Sequence, residues 1–512
     1  MKITGWGFGF VLSCFAIETA AAAQIDPALA DFARSNSTRS QRVIALLDPV
    51  GANATPPRRY DRARLVSYLS QRSDRAVRAL QSELSRRGAR GVRIREKFPS
   101  SLSVSLDVTP EGLAAVARVP HVVKIYANGK TAGEPPVARR RASRFVESAP
   151  YSFETSGLAS LIRDLPEYTG KGIVLGQIDT GVDGKHPALE GKIIAFFDGA
   201  LGKRTDRPHD VDEHGTHTAG TMVGGSRSGS PQIGIAPEAK LVAAGAIGDY
   251  EQMLKGMEFM LDPDGNPATN DAPRLVSSSW TSNGAPDQEP FYRAISTWEA
   301  AGILPVWSAG NSGPAPRTIT RPKEHPEAFA VANAGPRQMI SETSSRGPGL
   351  FRGQETQKPD LTAPGTDILS AVPGGRYEEM SGTSMAAPHV AGAAGLVLQA
   401  NPSLNPAQIR RVLIDSSVSL NERGVRTNAR KWNPVYGNGH LDIAAAVKLA
   451  IKLRDSLSPF PSESRFFLGA ESLENDLARG TALRTIDQSW TLVREDARSR
   501  SNWLSLEDLG LR

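Results

Sequence analysis

The stretch Ile173-Val174-Leu175-Gly176-Gln177-Ile178-Asp179-Thr180-Gly181 decides the fold. A near-continuous apolar run of this length reads as a strand buried on both faces, and such strands belong to parallel sheets covered by helices. From Lys171 onward the pattern repeats, with further strands expected at Ile193–Phe197, Leu241–Ala246, Leu275–Trp280, Leu304–Ser308 and Ala328–Ala332, and helices after His214 and Ser384. Strands alternating with helices imply an α/β architecture, a doubly wound and mostly parallel sheet. Asp179 ends its strand at the carboxyl edge, where the working groups of open α/β sheets gather.

Two more runs follow in chain order, Glu213-His214-Gly215-Thr216-His217 and Gly382-Thr383-Ser384-Met385-Ala386-Ala387-Pro388. Together the three runs supply a carboxylate, an imidazole and a hydroxyl. A serine hydroxyl is a poor nucleophile at neutral pH unless an imidazole takes its proton and a carboxylate holds that imidazole in the right tautomer. Each residue also has a plainer reading. Asp-Thr-Gly ends many strands as a turn, and a serine before a helix is commonly a cap. His214 and His217 suggest a metal pair, but their spacing is one short of the zinc-protease pattern, and the glutamate between the histidines is missing. Proline in Ala387-Pro388 is tolerated in a first helical turn. A nucleophile at a helix amino end points free N–H groups at the oxyanion that forms on attack.

The order Asp, His, Ser, with His214-Gly215-Thr216-His217-Thr218-Ala219-Gly220 and Gly382 through Gly392, resembles the subtilisin-like serine proteases from about Lys171 to about Val447. The resemblance implies that Asp179 orients, His214 is the general base and Ser384 the nucleophile, and that the Asn311 amide donates to the oxyanion. It implies a substrate cleft walled by Ser279-Trp280-Thr281 on one side and Ser308-Ala309-Gly310 on the other, with the peptide bound as an added strand. Trp280 stands where aliphatic residues are more usual, which implies an apolar but shallower pocket. Thr320 or Arg321 lies near its floor; an inward Arg321 would accept acidic residues, an outward one medium apolar residues. Glu213 replaces the family's usual glycine, and a negative charge there would raise the imidazole pKa. Lys358 to Gly365 is expected as scaffold, and Tyr436 to Leu441 closes the unit. No cofactor is required for this chemistry. The family allows structural calcium, whose ligands the sequence does not fix, and Asp262-Pro263-Asp264-Gly265-Asn266 fails the helix-loop-helix calcium pattern, since Pro267 and Pro273 occupy its sixth and twelfth positions.

The chain of 512 residues, with a net charge of +6, is long enough for two domains and a tail. Met1-Lys2, the apolar run Ile3 to Ile17 and Ala20 to Ala23 match an export signal over 1–23. Cys14, the sole cysteine, lies inside it, so disulfides cannot hold the mature protein. Residues 24–145 are arginine-rich, which suggests nucleic acid first. The segment nevertheless carries its own α+β pattern: strands at Val43–Leu47, Leu102–Leu106 and Val122–Tyr126, a helix at Leu65–Leu84 and a helix start at Thr109-Pro110-Glu111. By resemblance it is an inhibitory propeptide, a partner of the catalytic unit 146–452, and nucleic acid is not expected. Gly133-Glu134-Pro135-Pro136 begins a linker, and maturation is expected between Asn128 and Ser148. No second apolar run approaches a membrane span, and 453–512 is a polar tail of unassigned role. The sequence thus reads as a secreted (extracellular or periplasmic), self-processing serine endopeptidase acting on polypeptides. The rival reading is a catalytically silent relative used for binding or adhesion.

Overall fold

A computed structural model describes residues 22–51, 56–141, 150–225, 231–283 and 287–456. Nearly all of the export signal, part of the expected cleavage window and most of the tail lie outside the described residues.

The central sheet has eight strands. Across it they run Lys203–Arg204, Ile193–Asp198, Lys240–Gly245, Val174–Asp179, Leu275–Ser278, Leu304–Ser308, Phe329–Ala334 and Leu361–Pro364. All neighbours are parallel except the Lys203–Arg204 edge. This is the doubly wound, mostly parallel α/β sheet that the apolar runs imply. The helices His214–Val223 and Thr383–Ala400 pack together on one face, and Tyr250–Leu261 and Glu289–Ala300 pack together as a second pair. Three expectations shift. The expected strand Leu275–Trp280 stops at Ser278, and Trp280–Asn283 starts a separate one. The scaffold segment contributes the edge strand Leu361–Pro364. The last helix, Ile443–Asp455, runs past the expected boundary at 452.

Residues 24–127 form a five-stranded sheet in the order Gln24–Ile25, Val122–Ala127, Gln41–Leu47, Ser103–Val108, Val92–Phe98. The helix Arg62–Arg86 buries Leu65, Leu69, Ala76, Leu80 and Leu84, its apolar stripe. Pro110–Ala117 is capped by the Thr109 side chain. This unit docks on the helices Tyr250–Leu261 and Glu289–Ala300, and one apolar cluster runs through the seam, from Leu47, Phe98 and Val104 to Met257, Ile295 and Trp298. Cations of the N-terminal unit meet acids across it: Arg42 lies 3.3 Å from Glu251, Lys124 lies 2.6 Å from Asp287, and Arg59 pairs with Glu299. Two of the arginines that raised the question of nucleic acid, Arg42 and Arg59, are thus committed to this seam.

Glu258 sits in the seam and accepts hydrogen bonds from Ser100, the backbone N–H at 2.8 Å. Burial pushes its carboxyl from 4.5 up to about 7, against the lowering effect of those bonds. A raised carboxyl pKa gives docking stability that is full below 4.5 and lost as pH rises through about 7. In a Ser384→Ala chain the unfolding temperature of the N-terminal unit, read by calorimetry, should fall between pH 4.5 and 7.5, and Glu258→Gln should flatten that fall.

Candidate active site

Asp179 ends the central strand and is 1% exposed, so its carboxylate must be hydrogen-bonded on site. Oδ1 accepts from the Thr180 backbone N–H at 2.8 Å and lies 2.7 Å from His214 Nδ1, while Oδ2 accepts from Thr218 Oγ1 at 3.2 Å. His214 is the first residue of its helix and is buried. Burial opposes its positive charge, but the Asp179 carboxylate, its hydrogen bond, and Asp212 and Asp210 outweigh it, so the imidazole pKa stands above 6.5. Glu213 was the expected source of such a rise. Its carboxylate is instead engaged by Arg376 at 2.6 Å and Arg139 at 3.2 Å. His217 is not poised as a metal ligand: Nε2 faces the carbonyls of Ile368 and Glu378 at 3.0 and 3.1 Å, and burial pushes it down to about 3, which keeps it neutral.

Ser384 is the second residue of the helix Thr383–Ala400. Pro388 lies beyond the first turn, where a proline cannot donate to the carbonyl four residues back. That carbonyl belongs to Ser384, and the Ser279 hydroxyl donates to it at 3.3 Å instead. Asn311 is tied to the same loop through Oδ1, which accepts from the Thr383 backbone N–H at 2.9 Å, leaving Nδ2 to face the cleft.

The cleft is occupied by the chain itself. Lys130–Gly133 pairs antiparallel with Trp280–Asn283, Gly133 opposite Trp280 and Ala132 opposite Thr281. Ala138–Arg141 pairs with Arg376–Ser381 on the far side. Between them, the Glu134 N–H donates to the Ser279 carbonyl at 3.0 Å, and Ser384 Oγ donates to the Glu134 carbonyl at 3.1 Å. Asn311 Nδ2 donates at 3.2 Å to the next carbonyl, that of Pro135. His214 Nε2 has no hydrogen-bond partner among the described residues. Serine and amide thus act on successive carbonyls, whereas an acyl-transfer geometry would bring the oxyanion donors to one oxygen. The segment sits as a plug.

The Glu134 side chain enters the pocket between the two expected walls. Oε1 accepts from Thr320 Oγ1 at 2.9 Å, Oε2 lies 3.1 Å from Thr383 Oγ1, and the carboxylate pairs with Lys323. Gly310, with φ +113°, admits this arrangement, because a Cβ there would stand 2.8 Å from Thr320 Oγ1 and 2.7 Å from Ser345 Oγ. Ala309 and Ser308 continue the wall into the buried strand. The Trp280 indole is fully buried, edge-to-face on Phe291 and Trp307, and its backbone meets the plug. Arg321 is 47% exposed in its side chain and turns toward Glu324, whereas Lys323, two residues on, is fully buried. Sequence reasoning placed the floor here and missed Lys323 as its cation; the segment is a turn with no periodicity that would have separated Lys323 from Arg321. Asp262, Asp264 and Asp271 cluster on a loop, but the neighbouring carbonyls of Leu261, Pro267 and Thr269 take the Arg62 guanidinium.

The Subtilase family model matches residues 170–439. The chain is 32% identical to Bacillopeptidase F of Bacillus subtilis (strain 168) over 381 residues, 67% of this chain and 26% of that protein. It is 31% identical to Serine protease AprX of the same organism, covering 63% of this chain and 75% of that protein. With Subtilisin E it shares 29% identity over 60% of this chain and 73% of the relative. The chain therefore spans about a quarter of the length of Bacillopeptidase F and about three quarters of the other two. It belongs to the subtilase family of serine-type endopeptidases. The family's chemistry uses no cofactor.

Gly215 follows His214, and a Cβ on it would stand 2.1 Å from the Gly181 carbonyl oxygen. Gly215→Ala must push the helix away from the Asp179 strand. We expect roughly 10²-fold loss of peptide hydrolysis with native circular dichroism, the cost of a displacement near 1 Å.

Proposed function

We propose that the protein is an exported serine endopeptidase made as a self-processing zymogen, with residues 24–145 as its inhibitory propeptide. The observation that carries this reading is the chain threading its own cleft as an added strand, with the Glu134 carbonyl on Ser384. In the chemistry proposed, His214 takes the Ser384 proton through Nε2 as Oγ attacks the substrate carbonyl, and Asp179 holds Nδ1–H and stabilises the imidazolium. The oxyanion accepts from Asn311 Nδ2 and the Ser384 backbone N–H. His214 then returns the proton to the leaving amine, and water repeats the sequence on the acyl-enzyme. Ser279, Trp280 and Thr281 offer backbone to a peptide strand, and Ser308, Ala309 and Gly310 form the opposite wall.

The propeptide role explains the seam. A parallel sheet of long-range contacts folds slowly, and a docked template holding the two outer helices lowers that barrier. It also explains why the plug survives in place. Residue 135 is proline, with no N–H, and the serine hydroxyl and the Asn311 amide contact different carbonyls. Export rests on the charged start, apolar run and small residues before Gln24. Among the described residues no helix is long and apolar enough to cross a membrane. The silent-relative reading is disfavoured because none of the residues expected to carry the chemistry, Asp179, His214, Ser384 and Asn311, is missing from the sequence.

The native chain should be cut between Asn128 and Ser148 by intact mass, and Ser384→Ala should stay whole. Two folded, uncut proteins without peptide hydrolysis would sink the proposal. On the matured enzyme Asp179→Asn should lower kcat by about 10⁴, and Asn311→Ala by about 10² to 10³. Neutral imidazole is the active form, and its pKa is raised, so the acid limb of kcat/KM should lie above pH 6.5.

A further inference from the structure

The pocket that receives Glu134 is built for a charge. Lys323 is fully buried, and Glu134 is the one carboxylate it pairs with among the described residues. The carboxylate is further held by the hydroxyls of Thr320 and Thr383. Glu134 is also the residue whose N–H meets Ser279 and whose carbonyl meets Ser384, the place of the residue on the acyl side of a scissile bond. We infer that the enzyme selects substrates with glutamate at that position, and that Lys323 is the residue that reads it. This rests on the protease reading above.

A buried charge is costly to leave unpaired. When the N-terminal unit leaves, its carboxylate leaves with it, and the fully buried Lys323 loses the one carboxylate within ion-pair distance among the described residues; burial already holds its ammonium well below its ordinary pKa, against the raising effect of the neighbouring Glu324. An apolar substrate side chain would fill the pocket without meeting the ammonium or the hydroxyls, leaving buried polar groups unpaired. A glutamate side chain restores all three contacts. Sites built on such contacts reject analogues that lack the polar group far more strongly than apolar pockets reject a missing methylene. Aspartate, one methylene shorter, reaches the ammonium less well. Arg321, the cation nearer to hand in sequence, is turned outward and does not compete.

The test uses the matured enzyme and peptides identical except for Glu, Gln or Leu at the position before the cleaved bond. A fluorophosphonate that labels the active serine counts competent molecules independently of that side chain. We expect kcat/KM for Glu to exceed Leu and Gln by at least about 100-fold. Lys323→Met, close in volume, should bring Glu down to or below Leu while labelling persists, and Lys323→Arg should keep Glu ahead. Labelled wild-type enzyme that cleaves Leu as well as Glu overturns the inference, as does Lys323→Met with an unchanged Glu to Leu ratio. Absence of both labelling and cleavage in wild type refutes the protease reading itself.

Discussion

A carboxylate at the end of a buried parallel strand has to find all its hydrogen bonds nearby, and the site is arranged around that demand. Asp179 is satisfied by the Thr180 N–H, by His214 and by Thr218. Two of these three lie on one helix, so satisfying the carboxylate fixes that helix against the sheet and fixes the imbalance of charge at His214. The surroundings extend the same logic. Asp210 accepts from the Thr216 N–H and hydroxyl and from Thr180 Oγ1, and Gln177 donates to the Gly215 carbonyl. Breaking one member leaves others buried without partners, which costs about 1–3 kcal/mol for each group so stranded.

The second constraint is steric. Gly215 lies against Gly181, and Gly310 lets the Thr320 hydroxyl approach. These glycines lie beside His214 and Asn311 in sequence, so the backbone packing that closes the fold also sets the two sides of the cleft. Pro388 works in the same direction. By withholding one helical hydrogen bond it frees the Ser384 carbonyl for Ser279, tying the helix to the cleft wall that meets the plug.

Much of this was legible in the sequence for physical reasons. Val174–Asp179 and Leu304–Ser308 are buried on both faces, so their apolar runs announce themselves. The helix Arg62–Arg86 shows its stripe because only one face is covered. Val92–Phe98 did not show, since an edge strand with Arg93, Arg95, Glu96 and Lys97 loses the apolar signal. Glu289–Ala300 was not read although its sequence has a polar side, and that side, with Glu289, Arg293 and Glu299, is itself buried, Arg293 and Glu299 against the N-terminal unit. The break at Ser279 was invisible because the partner of Trp280–Asn283 is a strand nearly 150 residues earlier. The pocket cation was hidden too, since Arg321 and Lys323 are alike in composition, and only the packed structure turns one out and the other in.

That difference links regulation to recognition. A buried ion pair is weak support for stability, because desolvation offsets most of the attraction. Removing one partner is far costlier, since it strands the other. The Lys323 and Glu134 pair therefore does little as a fold-stabilising contact but much as a latch: whatever displaces the plug must either bring a carboxylate or leave a cation stranded. On the proposal above, the three side chains that hold the linker, Lys323, Thr320 and Thr383, are also those that choose the substrate.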